Sequence, residues 1–370
     1  MRSSAGQALS LLRDRGPLSR ADLARAIGIS APALTGVANS LIANGNVEAT
    51  DTAVATGVGR PANRLALIPE HSYVLGLHFG VGRVGAVLTD CLLNVRARGN
   101  HILDLEATTI EDVLALAVIA AKGLIETSGV PRGKIKGIGV GVPGRVDPSG
   151  RNGLNAFFSK GQLGFPFADV LEEQLGLPVL LSHNVTAMAM AETLYGAGKG
   201  AGTLLNIYMR RGIGAGLMQN GAGGAFRSSA VELGHVRVQE DGQPCHCGRS
   251  GCLETILSEQ PLLEMLQTKS IPSDGLLRAA MAKETEWSGI YSSLVDVLAT
   301  ATTLLEPDLI LLSGHLGEAP PALLDDLRRD LPSRVMPQLR PMKIERAVLQ
   351  PDAGALGAAC VGLEQFVYRG

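Results

Sequence analysis

Apolar residues recur at helical spacing three times near the start of the chain. Ala8, Leu9, Leu11 and Leu12 predict a first helix, ended by Gly16-Pro17. Ser19 suits an N-cap, and Asp22 suits the positive end of a second helix with Leu23, Ala24, Ala26 and Ile27 on its apolar face. Gly28 supplies a turn. Ser30 caps a third helix, with Pro32 in the first turn where a missing N–H costs nothing. Leu34, Val37, Ala38, Leu41 and Ile42 form its buried stripe, and Asn44-Gly45 closes it. Val47 to Leu67 reads as a β-hairpin with Gly57-Val58-Gly59-Arg60-Pro61 at its tip.

After a linker at Pro69-Glu70-His71, the pattern changes to buried strands. Tyr73–Phe79 and Arg83–Thr89 make a hairpin around Gly80-Val81-Gly82; Val113–Leu124 is a helix; Ile135–Val142 is a strand ending in Pro143-Gly144. Leu171–Leu175 is helical and Pro178–Ser182 extended. The theme then repeats: Thr203–Met209 is a strand, Gly212–Gly216 leads into another, and Leu309–Ser313 is a late buried strand ending at Gly314. Strand, glycine turn, strand, then helices, twice over, predicts two α/β lobes with a cleft between them. The expected divisions are a head at 1–70, a first lobe at 71–185 completed by 351–370, and a second lobe at 186–350. A late helix at Ser292–Leu305 is a candidate for a subunit interface.

The 370 residues are 46% hydrophobic and 18% charged, so a large core is expected and disorder is not. The net charge of −2 excludes a global polycation and confines any nucleic-acid contact to a local surface. No signal peptide is read at the N-terminus, where Arg13, Asp14 and Arg15 come early. The longest apolar run, Val113–Ala121, is about half the ~20 residues that span a bilayer, so a cytoplasmic protein with no membrane partner is expected.

Two helices joined by a glycine turn and followed by a hairpin wing make a winged helix-turn-helix pattern. The third helix would enter the major groove. Its outward residues include Thr35 and Asn39, and none is basic, although guanine readout usually uses Arg or Lys. The basic groups lie around it. Arg60 at the wing tip suits a narrow minor groove, and Arg20, Arg25 and Arg64 suit phosphates. The alternative for this head is a small module that binds a protein partner.

Of five cysteines, Cys245, Cys247 and Cys252 fall close together, which suits a metal better than a disulfide framework; Cys91 and Cys360 stand apart. The stretch reads Glu232-Leu233-Gly234-His235, then Cys245-x-Cys247-Gly248-x-x-Gly251-Cys252-x-Glu254. Three thiolates and one imidazole give a closed, structural Zn2+ site from His235, Cys245, Cys247 and Cys252, with His246 the nearest competing ligand. Three buried free cysteines are the alternative. Bracing this loop would gather Glu232, His235 and Glu254, whose acceptors suit paired sugar hydroxyls; capping or salt-bridging around the loop is the plainer role.

These motifs resemble the ROK family, named for repressors, open reading frames and kinases, over essentially the whole chain. The resemblance implies two actin-like (RNase H-like) α/β lobes preceded by a winged-helix DNA-binding domain. It favours His235 over His246 as the metal ligand. It assigns sugar-hydroxyl contacts to Glu232, His235 and Glu254, and a further one to Asn155. Family kinases have an Asp where His78 stands, a Thr near Arg83, and a general-base Asp where Asn184 stands. An amide cannot accept a proton at neutral pH, yet Asn184 can still bind a sugar hydroxyl. The second phosphate turn of the kinases reads Arg210-Arg211-Gly212 here. Arg210 and Arg211 would either hold the phosphate of a sugar phosphate or form salt bridges in a disused nucleotide site.

The expectation is a sugar-responsive transcriptional regulator, a repressor with kinase activity lost. It would bind operator DNA as a homodimer or tetramer and take a sugar or sugar phosphate as effector. A sugar kinase with a fused regulatory head, and a regulator acting through a protein partner, are the alternatives.

Overall fold

The computed structural model describes residues 2–50, 63–80, 82–103, 109–154, 164–221, 226–272, 274–339 and 341–369. The wing tip with Arg60 lies outside them, as does Asn155. The described chain forms two compact units, Met1–Ser182 with Gly354–Gly370, and His183–Ala353.

The first unit starts with helix α1 (Ser4–Arg15), strand β1 (Leu18–Ser19), helices α2 (Arg20–Ile27) and α3 (Ala31–Ala43), and strands β2 (Val47–Thr50) and β3 (Arg64–Leu67). Side-chain oxygens of Ser19 and Ser30 accept from the Asp22 and Ala33 backbones, and Gly28 ends α2 at φ 80°. A left-handed residue there lets α3 leave α2 at 114°. Leu34, Ala38 and Leu41 are buried as expected, but Ala26 is exposed and Ile42 is 37% exposed. The head's core is narrower than the apolar pattern, because three short helices and a ribbon cover only one side of each helix. β2 and β3 pair antiparallel as the wing, and β1 adds to the other edge of β3.

Strands β4 (Tyr73–Gly80), β5 (Arg83–Asp90) and β6 (Val95–Ile102), helix α4 (Ile110–Thr127), strand β7 (Ile135–Val142), helix α5 (Phe167–Leu175) and strand β8 (Val179–His183) follow. The sheet order is β6-β5-β4-β7-β8, with β4 parallel to β7. α4 and α5 contribute Val113, Ala117, Leu124, Phe167 and Leu171 to a core shared with the strands.

The second unit holds helix α6 (Asn184–Tyr195), strands β9 (Thr203–Met209), β10 (Ile213–Asn220) and β11 (Phe226–Val231), and helices α7 (Glu254–Leu257), α8 (Glu259–Met265), α9 (Leu276–Met281) and α10 (Glu284–Leu305). Strand β12 (Leu309–Gly314), helices α11 (His315–Glu318) and α12 (Pro321–Asp330), and strand β13 (Lys343–Arg346) complete it. The sheet order is β11-β10-β9-β12-β13, and β12 runs parallel to both neighbours. α10 is the one described helix long and apolar enough to cross a membrane, yet Trp287, Leu294, Val295 and Leu298 belong to the unit's core.

Helix α13 (Ala353–Phe366) returns to the first unit and covers its sheet. It lies backbone against backbone on β4 and β7: a Cβ at Gly76 would meet the Ala355 carbonyl at 2.1 Å, and one at Gly139 the Ala358 carbonyl at 1.8 Å. Its far end grips the head. The Arg13 side chain, 2% exposed, pairs with Glu364 and lies over the Tyr368 ring at 4.6 Å. Tyr368 donates its hydroxyl hydrogen to the Cys91 carbonyl at 2.5 Å.

Gly139→Ala should therefore lower unfolding free energy by about 1–3 kcal/mol, the usual cost of overpacking. Gly123→Ala, in α4 with open space around it, should raise it by up to about 1 kcal/mol. Urea unfolding of the two variants checks this; equal effects would contradict the packing account.

Candidate metal centre and ligand site

The loop between β11 and α7 folds through backbone bonds before any metal is considered. A single 3-10 turn, Leu233–His235, follows Glu232, and the His235 amide donates to the Glu232 carbonyl at 3.0 Å. The Cys245 amide donates to Arg249 at 2.7 Å and the Gly248 amide to Cys245 at 3.0 Å, forming a tight thiol-bearing turn. Gly251 sits at φ 76°, where a Cβ would lie 1.9 Å from the Gln239 carbonyl. Only glycine fits there, and it swings Cys252 back toward Cys247.

The ligand atoms of His235, Cys245, Cys247 and Cys252 all lie within 4.8 Å of one another. His235 Nδ1 is 3.5 Å from Cys245 Sγ, and Cys247 Sγ is 3.7 Å from Cys252 Sγ. A tetrahedral zinc with Zn–S near 2.3 Å and Zn–N near 2.0–2.1 Å has edges of about 3.5 Å for S···N and about 3.7 Å for S···S. The residues fit such an ion. Burial raises the Cys245 thiol and pushes Cys252 up to about 12, while a hydrogen bond from the Arg249 backbone holds the exposed Cys247 down at about 7.

Glu254 sits beside this centre and is buried. Its Oε2 accepts from the Ile213 amide at 2.7 Å, tying the loop to the start of β10. Its Oε1 is 3.1 Å from His246 Nδ1. His246 is also 4.0 Å from Cys245 Sγ, so a second set of donors, His235, His246 and Glu254, adjoins the first. Glu232 is exposed, and its charge opposes the downward pKa shift that burial gives His183. Asn184 opens α6 next to His183, its Oδ1 accepting from the Val185 amide at 2.7 Å.

The arginine pair lies at the turn after β9. Arg210 Nη2 donates to Glu318 at 2.5 Å and Nη1 lies 3.3 Å from His315 Nδ1; Arg211 is 4.0 Å from Glu259. Arg210 is thus within hydrogen-bond distance of a carboxylate, while Arg211, nearly half exposed, lies at the outer edge of an ion pair. Glu259, His315 and Glu318 were not legible as site residues, since the chain brings them together over 56 and 105 residues. In the first unit, His78 is buried and pushed down to about 3 by desolvation; its Nε2 has no hydrogen-bond partner among the described residues.

In the head, Thr35 and Asn39 are exposed on α3. Strand register puts Arg64 opposite Ser19, the residue before Arg20. Arg25 is exposed and pairs with Asp22 at 3.1 Å.

The ROK family profile matches residues 74–364. The chain belongs to the ROK family. The DNA-binding transcriptional repressor Mlc of Escherichia coli is 27% identical, across 100% of this chain and 94% of its own length. The xylose repressor of Bacillus spizizenii is 25% identical, across 95% of this chain and 92% of its own. A solved ROK family transcriptional regulator, described as a homologue of the E. coli Mlc protein, superposes with TM-score 0.80 at 23% identity, covering 99% of this chain and 96% of that one. The ROK match and this likeness bear out the α/β fold with a winged head; these two curated relatives are repressors, in a family that also holds kinases.

Purified protein should carry about one zinc per chain, and Cys252→Ser should lose it, as read by metal analysis after desalting. His246→Ala should keep its zinc. Loss there, with retention in His235→Ala, would move the ligand role to His246.

Proposed function

We propose that this ROK protein is a sugar-responsive transcriptional repressor without kinase activity. The carrying observation is one chain that joins a capped helix pair crossing at 114°, with its wing, to a carboxylate-lined loop around four metal-ligand side chains. The head reads DNA through α3, with Thr35 and Asn39 at base edges and Arg20, Arg25 and Arg64 on phosphates. Arg60 serves the same interface from the wing. The absence of a basic residue on α3 makes phosphate contact and DNA shape the main sources of affinity.

His235, Cys245, Cys247 and Cys252 would hold Zn2+, which supplies a rigid brace. With Nδ1 of His235 turned to the thiols, its other ring nitrogen stays free for a sugar hydroxyl. Glu232 and Glu254 accept hydroxyl hydrogens, and Asn184 presents its amide. The same Asn184 cannot take a proton from the hydroxyl it binds, so no phosphoryl acceptor is activated. A dimer would place two heads on a pseudo-palindromic site, and sugar that binds one head arrangement better shifts operator affinity.

Selection of genomic fragments by the zinc-replete protein should enrich a palindromic site. Arg64→Ala should weaken binding across sequences and reduce the slope of log affinity against log salt by about 1. Enrichment of no fragment at low salt would overturn the DNA reading and leave a protein partner as the head's target. Glu254→Gln should cut sugar affinity at least tenfold while retaining zinc; unchanged affinity would remove Glu254 from the site.

A further inference from the structure

The ends of parallel strands β9 and β12 point the same way, and ligands of open α/β sheets gather beyond such carboxyl ends. Arg210 and Arg211 follow β9 there, and His315 and Glu318 follow β12. Two guanidiniums at that position would make an anion site if left free. They are not free. Arg210 faces Glu318, Arg211 faces Glu259, and His315, 4% exposed, stands between the two carboxylates at 3.4 and 3.7 Å. The arginines and carboxylates balance two charges against two.

We infer that Glu318 and Glu259 stand in for phosphate, so that this face accepts an uncharged sugar and turns away nucleotides and phosphorylated sugars. The inference rests on the sugar reading of the adjoining Glu254 loop. An incoming phosphoryl group would have to displace Glu318 from Arg210 and lie beside both Glu318 and Glu259, with Arg211 4.0 Å from Glu259. Glu318 cannot be displaced cheaply, because its carboxylate is about four-fifths covered and would be left beside the phosphate without its cation. The ring of His315 stands between the two carboxylates, its Nε2 3.4 Å from Glu259 and its Nδ1 3.3 Å from Arg210 Nη1, which ties Glu259 and Arg210 to one buried side chain. The arrangement also explains how two arginines can replace the glycine-rich residues of a phosphate turn without creating a phosphate trap.

The test uses the full-length, zinc-replete protein and needs no DNA. Thermal unfolding is followed with millimolar inorganic phosphate and pyrophosphate, for the wild type and for Glu318→Gln combined with Glu259→Gln. The expected result is no stabilisation of the wild type and a clear rise in Tm for the double variant, whose arginines then recruit the anion. Stabilisation of the wild type by pyrophosphate, or none in a folded double variant, overturns the inference. Should the double variant not fold, Glu318→Gln alone is read in the same way. Calorimetry with glucose and N-acetylglucosamine beside their 6-phosphates gives a second readout. Each sugar phosphate should bind at least tenfold more weakly than its parent, and tighter binding of a phosphate overturns the inference. If no sugar binds at all, the sugar reading fails while the pyrophosphate comparison still decides the role of Glu318 and Glu259.

Discussion

The first unit depends on a close approach that only glycine permits. α13 lies on β4 and β7 with no side chain between backbones at Gly76 and Gly139, and Gly362 on the helix meets the Gly139 amide in the same way. A helix seated this deeply cannot slide without breaking the sheet's cover. Glu364 in its last turn and Tyr368 just beyond it hold Arg13 and so fix α1 of the head. The chain enters α13 directly from the second unit, at Ala353. One rigid helix is thus the covalent return from the second unit, the lid of the first sheet and the footing of the helix-turn-helix.

The second unit is organised by polar groups that each serve two neighbours. Glu254 binds the start of β10 with one oxygen and faces His246 with the other. The Glu259 amide donates to the Arg210 carbonyl at 2.9 Å while its carboxylate faces Arg211 and His315. The thiol loop and the β9–β10 turn therefore share a wall. Rigidity in one is passed to the other through short bonds, which is what a binding surface needs if its acceptors are to hold their positions before a sugar arrives.

Strands buried on most of both faces were the most legible elements: Ile135–Val142 and Thr203–Met209 match their expected bounds residue for residue. The head was legible through its caps, Ser19, Gly28 and Ser30. β6 was not, because its alternation sets Arg96 and Arg98 between small residues and reads as polar loop. α10 begins at Glu284, a turn before Trp287, and not at Ser292; its polar first half hid a helix that only core packing reveals. The same split governs the site. His235, Cys245, Cys247 and Cys252 were legible because their spacing is local and their chemistry narrow. The partners of Arg210 and Arg211 were not, because pairing over a hundred residues leaves no mark in periodicity.

The most direct test of the account is operator dissociation from the zinc-replete protein, measured with and without a saturating sugar found by calorimetry. A sugar-responsive repressor must dissociate from its own selected operator at least tenfold faster when sugar is bound, with no nucleotide present. A sugar that binds the protein yet leaves the dissociation rate unchanged would contradict the account, because occupancy of the loop would then be uncoupled from the head.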